Sequence, residues 1–132
     1  MRRVVITGLG ILSAIGNNKQ EVTESLKTGR SGIEFFQQFA DYGLKSQVAG
    51  TINIDLEDHV DRKLKRFMSD GIAFNYLAMK EAIEDSQLNQ DEVSSFRTGL
   101  IMGNGGGSPE SVVFGADSLR EKGKVSPFLV TR

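Results

Sequence analysis

The stretch that decides the fold is RVVITGLGILSAIGN, residues 3–17. Its first part, residues 4–6, is a compact β-branched run, which predicts a central strand buried on both faces. The glycines that follow predict a tight turn at the carboxyl end of this strand, where α/β proteins place binding groups. The chain has no cysteine, so it contains no cysteine nucleophile, disulfide framework or cysteine zinc site.

Length and composition indicate one ordinary domain. The chain has 132 residues, of which 39% are hydrophobic and 25% charged, which is typical of a globular protein rather than a disordered one. A net charge of −1 argues against nucleic acid as a partner. No apolar run reaches the roughly 18 residues of a membrane span. Thr7, Gly8 and Gly10 interrupt the first apolar run too early for a secretory signal that begins at Met1, so we expect a cytoplasmic protein.

Local signals predict alternating helices and strands. Asn18 stands three residues before Glu21, which resembles a capping box and predicts a helix that ends at Gly29. The longest helix is predicted to begin at Ser69 or Asp70 and to end between residues 86 and 89. A weaker alternation over residues 46–54 indicates an edge strand.

A second strand, turn and helix are predicted near the carboxyl end. Residues 98–103, TGLIMG, predict a second buried strand that leads into a glycine loop. Ser108 is a natural helix N-cap, Pro109 suits the first helical position, and Gly123 ends the helix. The predicted apolar side of this helix consists of Val112, Val113, Ala116 and Leu119. The whole order predicts an α/β fold with helices packed on a sheet.

Two glycine-rich loops invite a ligand-binding interpretation. Residues 8–13 nearly match G-x-G-x-x-G, but Ser13 occupies the third glycine position and no strand ending in an acid follows about 20 residues later, which disfavours a nucleotide site. Residues 103–108 lack the lysine of a P-loop. Their consecutive glycines suit either a backbone that approaches a ligand or anion, or a sharp turn among crowded neighbours, and both alternatives stay open.

A basic cluster lies at residues 61–68, DRKLKRFM. In a helix, Arg62, Lys65 and Arg66 share one side, and Lys63 lies one turn from Arg66. Because the rest of the chain is acidic overall, this cluster predicts a surface for an acidic partner. The single histidine, His59, is flanked by acids but is interpreted as a solvated side chain, and no metal site is predicted.

Several segments together resemble the β-ketoacyl-acyl-carrier-protein synthases, the condensing enzymes of fatty-acid elongation. The matching segments are residues 4–10, 16–18, 29–33, 61–63, 66–70, 103–109 and 126–128, all in order and at unshifted spacing. The chain is more similar to synthase I than to synthase II, because Gly106 stands where synthase II enzymes carry a larger apolar residue. The resemblance covers the whole chain.

The resemblance implies a partial thiolase-like α/β fold, with αβαβα layers in the full-length enzyme, and a homodimer. It implies decarboxylative condensation of malonyl-carrier protein with an acyl-enzyme, performed by one cysteine and two histidines. In the family these three residues lie beyond the position that matches Arg132. Residues 1–132 are therefore expected to be the N-terminal portion of a ketoacyl synthase N-terminal domain, with no catalytic residue and no condensing activity alone.

The resemblance also assigns two sites within this chain. Arg62, Lys63 and Arg66 match positions that contact the acidic acyl carrier protein, and Gly105, Gly106 and Gly107 match a loop beside the acyl pocket near the dimer interface. No cofactor is expected, because phosphopantetheine arrives on the carrier protein. The alternatives are a non-catalytic domain that binds carrier protein and, less favoured, a nucleotide-binding α/β module.

Overall fold

The structure is a computed structural model that describes residues 3–132, with only the backbone of Val130. Met1 and Arg2, the start of the segment considered as a secretory signal, lie outside the described residues. The helices and strands of the described residues are α1 (Lys19–Thr28), β1 (Ile33–Phe35), α2 (Gln37–Asp41), β2 (Val48–Gly50), α3 (Leu56–His59), α4 (Arg62–Lys65), α5 (Asp70–Ser86), α6 (Gln90–Val93), α7 (Pro109–Lys122) and a 3₁₀ helix (Pro127–Thr131).

The chain divides into two compact units. The first unit runs to Ile54 and also includes Leu77–Gln87, the carboxyl-terminal part of α5. The second unit comprises Asp55–Tyr76 and Leu88–Arg132. Both predicted sites, the basic cluster and the glycine loop, belong to the second unit.

The helix boundaries follow from local capping chemistry, as predicted. Asn18 accepts a hydrogen bond from the Glu21 backbone N–H at 2.9 Å, and α1 ends at Gly29, whose φ of 67° is the left-handed conformation that glycine adopts without strain. Ser108 accepts from the Ser111 N–H at 3.2 Å, with Pro109 in the first turn of α7. The long helix α5 begins and ends within the predicted bounds.

The sheet in the described residues is a two-stranded antiparallel ladder. Ile33 pairs with Gly50, Glu34 with Ala49, and Phe35 with Val48. The predicted edge strand over residues 46–54 is therefore confirmed but shorter. Its partner β1 was not predicted, because three residues after a glycine turn carry too little periodicity to identify a strand.

The two predicted buried strands are wrong for this structure. Residues 4–6 have no strand conformation, and Val4, Val5 and Ile6 are 95%, 74% and 83% exposed. Residues 98–103 are likewise unpaired, and Ile101 is 95% exposed. A strand forms only when a neighbour accepts its backbone N–H groups, and no described segment pairs with either run.

The predicted apolar side of α7 is also exposed. Val112, Val113 and Leu119 face solvent, whereas the helix buries Gly115 and half-buries Ala116. Phe35 in β1 is exposed as well. These apolar surfaces lack a cover among the described residues, and large exposed apolar patches are typical of interaction surfaces.

The buried core of the described chain is small. Its apolar members are Val22, Leu56, Val60 and Ala73. Ser25 is the buried polar residue, and its hydroxyl donates to the Ile15 carbonyl at 2.6 Å. This hydrogen bond attaches the end of the first glycine turn to α1.

Candidate carrier-docking patch and glycine loop

The basic patch, defined as Arg62, Lys63, Lys65 and Arg66, is built on the short helix α4. Asp61 begins this helix by accepting the Lys63 backbone N–H at 2.7 Å. The cap fixes the start of one helical turn and so spaces the cations around it. Residues 62–65 are helical, which is the condition under which the sequence places the cations on one side, and Arg66 is the C-cap.

Aromatic rings hold Arg66. Its guanidinium carbon lies 4.8 Å from the ring centroid of Phe128 and 6.0 Å from that of Phe67. The two rings meet edge to face at 5.1 Å. A cation over an aromatic face is attracted by the ring quadrupole. Arg132 adds a hydrogen bond from its Nε to the Arg66 carbonyl at 3.1 Å. Arg66 is therefore the positioned cation of the patch.

The other three cations differ in whether a carboxylate pairs with them. Lys65 donates to Asp70 at 2.5 Å, so its charge is compensated within the second unit. Arg62 and Lys63 are exposed and form no ion pair with any described residue. The three cations assigned to carrier binding, Arg62, Lys63 and Arg66, are therefore those without a carboxylate partner in the described chain.

The glycine loop, residues 103–107, is exposed throughout in the described chain. The Gly106 N–H donates to the Asn104 side-chain oxygen at 3.2 Å, which forms an Asx turn. A Cβ placed on Gly105, Gly106 or Gly107 would meet no atom within 4 Å. The interpretation of this loop as a turn among crowded neighbours is therefore wrong for the described residues. The loop can accept another surface at close range.

The first glycine turn has the opposite environment. A Cβ on Gly8 would lie 2.2 Å from the Ala82 carbonyl oxygen, and one on Gly10 would lie 1.9 Å from that of Ala78. Both distances are far inside van der Waals contact. These glycines allow the backbone of residues 8–10 to lie directly against α5, which is the role that the third glycine has in a dinucleotide fold.

Two carboxylates of α5 hold the same turn. Asp85 accepts the Leu9 N–H at 3.0 Å, and Glu81 accepts the Ile11 N–H at 2.8 Å. Lys19 joins them, with its ammonium paired to Asp85 and its backbone N–H donated to Glu81 at 2.8 Å. We call Glu81 and Asp85 the carboxylate clamp. Because it occupies the N–H groups that a phosphate would need, it argues against the nucleotide-binding alternative.

The clamp was not identified from the sequence. Its signal was present, since Glu81 and Asp85 lie four residues apart and share a helix face. The hydrogen bond from the Lys19 ammonium, followed by that from the Leu9 N–H, lowers the pKa of the Asp85 carboxyl below its ordinary value. Asp85 therefore acts as an anion in the folded chain at neutral pH.

The described residues contain no group of side chains suited to a metal ion, and His59 is exposed at the end of α3. None of the helices in residues 3–132 is long and apolar enough to cross a bilayer. The second unit carries the cationic patch and the exposed glycine loop.

Comparison with known proteins identifies the family of this chain. The sequence profile described as "Beta-ketoacyl synthase, N-terminal domain" matches residues 1–131. The chain belongs to the β-ketoacyl synthase family. It is 50% identical to the 3-oxoacyl-[acyl-carrier-protein] synthase 1 of Haemophilus influenzae and 49% identical to that of Escherichia coli, over 100% of this chain in both cases.

The fold agrees with that family. The chain superposes on the crystal structure of a β-ketoacyl synthase from Burkholderia phymatum with a TM-score of 0.78 and 27% identity, over 99% of this chain and 34% of that one. The predicted partial thiolase-like α/β fold and the resemblance to synthase I are therefore confirmed. This synthase chain spans about a third of the length of the curated relatives, 33% and 34% of the two above.

Proposed function

We propose that this chain is the N-terminal part of a 3-oxoacyl-acyl-carrier-protein synthase. The complete enzyme elongates fatty acyl chains by condensing malonyl-carrier protein, with loss of carbon dioxide, onto an acyl-enzyme. The observation that supports this proposal is the 50% identity to a synthase 1 over the whole of this chain. Residues 1–132 then form the N-terminal portion of the ketoacyl synthase N-terminal domain.

In this proposal the chain recognises substrate and does not perform the chemistry. The catalytic cysteine and histidines belong to the remainder of the enzyme, so the 132-residue chain is inactive alone. It needs no cofactor of its own, because phosphopantetheine is delivered by the carrier protein. The complete enzyme is a cytoplasmic homodimer.

The basic patch is the proposed docking site for the acyl carrier protein. Arg62 and Lys63 present charges that no described carboxylate compensates, and Arg66 is held over two aromatic rings. Complementary charge accelerates association and selects the partner's orientation. An acidic carrier protein would meet these three cations without first having to displace an internal partner.

A chimera tests the proposed function. This chain replaces the matching N-terminal third of the E. coli synthase 1, to which it is 49% identical. A parallel chimera with the corresponding third of the H. influenzae enzyme controls for the fusion. We expect both chimeras to release carbon dioxide from malonyl-carrier protein in the presence of an acyl donor, and the isolated chain to release none.

Other outcomes of that experiment decide between the alternatives. Condensation by the isolated chain would refute the proposed division of labour. A folded chimera without activity, beside an active control chimera, would instead favour a non-catalytic domain that binds carrier protein. Carrier-protein binding by the isolated chain is expected under both proposals, so the activity of the chimera and not binding separates them.

Charge reversal tests the docking patch. The variant Arg62→Glu, Lys63→Glu and Arg66→Glu in the active chimera should weaken carrier-protein affinity about 3- to 150-fold, because three exposed ion pairs contribute about 0.2–1 kcal/mol each. The dependence on salt should decrease at the same time. The matched control reverses three other exposed cations of the second unit, Arg97, Lys122 and Lys124. Equal effects of the two triple variants would contradict the assignment.

The glycine loop is the proposed wall of the acyl pocket. Because a Cβ at Gly106 meets no described atom within 4 Å, a larger residue there changes the space outside the chain rather than its own packing. We expect Gly106→Phe in the active chimera to narrow the range of acyl-chain lengths accepted, and Gly106→Ala to have a smaller effect. An unchanged chain-length profile would refute this role.

A further inference from the structure

The glycine loop contains the one asparagine that a glycine follows in this sequence, Asn104-Gly105. Both residues are exposed, and both precede α7 in a segment without regular structure. Such a pair is chemically reactive, because the amide nitrogen of the second residue can attack the side-chain carbonyl carbon of the first. Glycine favours this attack because it has no Cβ to hinder the approach.

The geometry of the loop leaves both reacting groups accessible. The Gly106 N–H donates to the Asn104 Oδ1 at 3.2 Å. This hydrogen bond draws electron density from the side-chain carbonyl of Asn104 and holds that side chain against the backbone of the residues that follow. No acceptor among the described residues takes the Gly105 N–H. A Cβ on Gly105 would have no neighbour within 4 Å, so no described atom crowds this side of the peptide.

The other described asparagines are held in place or flanked by larger residues. Asn18 and Asn89 cap helices through their side-chain oxygens, which accept the N–H groups of Glu21 and Glu92. Asn75 lies within α5, where the backbone is fixed by helical hydrogen bonds. The reactivity should therefore be concentrated at one position.

We propose that Asn104 is a site of spontaneous deamidation. The Gly105 nitrogen attacks Cγ of Asn104, the Cγ–Nδ2 bond breaks, and Nδ2 leaves as ammonia with the proton from the Gly105 N–H. Water then opens the cyclic imide at either carbonyl, which yields aspartate or isoaspartate. The overall reaction consumes one water, releases one ammonia and adds one negative charge to the loop.

The modification would change the charge and the backbone length of the exposed glycine loop. Isoaspartate inserts an additional methylene into the backbone before Gly105, and either product places a carboxylate there. Deamidation would therefore alter the glycine loop progressively as the protein ages. This inference does not depend on the proposed function, because it concerns the chemistry of this chain alone.

Peptide mapping by mass spectrometry tests the proposal on the intact 132-residue chain, incubated at mildly alkaline pH. We expect aspartate and isoaspartate to accumulate at position 104 while Asn89 stays an amide. Asn104→Gln and Gly105→Ala should each lose the isoaspartate product at this position. The alanine Cβ in the second variant meets no described atom within 4 Å, and circular dichroism checks that this variant folds.

Three results would overturn the proposal. The first is deamidation at Asn104 no faster than at Asn89. The second is aspartate without isoaspartate, because this product pattern indicates direct hydrolysis rather than a cyclic imide. The third is a much slower reaction in the folded chain than in a peptide of residues 99–110, because the loop would then hold the reacting groups apart.

Discussion

Replacing Gly10 by alanine should separate the first glycine turn from α5. The new Cβ would lie 1.9 Å from the Ala78 carbonyl oxygen, whereas such contacts are essentially never shorter than 3.0 Å. The obstructing atom belongs to the helix backbone, so no side-chain rotation can relieve the clash. Residues 8–11 must move away, and the Ile11 N–H then loses its 2.8 Å hydrogen bond to Glu81.

We expect Gly10→Ala to lower the free energy of unfolding by about 1–3 kcal/mol, the usual cost of overpacking. Urea denaturation followed by circular dichroism measures the change as a lower midpoint at constant slope. The matched control is Gly99→Ala, where the Cβ meets nothing within 4 Å and the change should stay within about 0.5 kcal/mol. If Gly10→Ala is as stable as Gly99→Ala, the backbone of the turn does not lie against α5 as closely as described.

Two further substitutions test the clamp and the patch. The hydrogen bonds from Lys19 and Leu9 lower the pKa of Asp85, so they stabilise the fold above the unfolded carboxyl pKa of about 3.9, and this stabilisation is lost as the pH falls through the lower folded pKa. Asp85→Asn should therefore reduce the loss of unfolding free energy at acid pH, measured by urea denaturation at a series of pH values. An effect no larger than that of Asp91→Asn would contradict this expectation. Phe128→Leu should cost about 1–2 kcal/mol of stability and weaken carrier binding by releasing Arg66, whereas Phe96→Leu, at a fully exposed ring, should change neither.

Helix boundaries were predictable because their causes are local. Asn18 and Ser108 each satisfy an N–H three residues away, so the signal and the structure lie within the same short segment. The basic patch was predictable for the same reason, since α4 needs only the cap from Asp61. The compensation of Lys65 by Asp70 was missed, although the two residues are only five positions apart.

Strands and long-range contacts were not predictable in the same way. The β-branched run at residues 4–6 carries a genuine strand propensity, but propensity does not supply a neighbouring strand. The clamp joins residues 76 and 70 positions apart, Leu9 to Asp85 and Ile11 to Glu81. Only the fold brings such groups together, and no pattern within a short window records that pairing.

The aromatic contacts of Arg66 have a consequence for the entropy of the proposed carrier docking. A long cationic side chain that is free in solution loses up to about 2 kcal/mol of rotamer entropy when a partner immobilises it. The rings of Phe67 and Phe128 restrict Arg66 before any partner arrives, whereas Arg62 and Lys63 remain exposed. In the proposed docking, Arg66 is therefore preorganised to set the orientation of the first encounter, whereas Arg62 and Lys63 lose their rotamer entropy only when the partner binds.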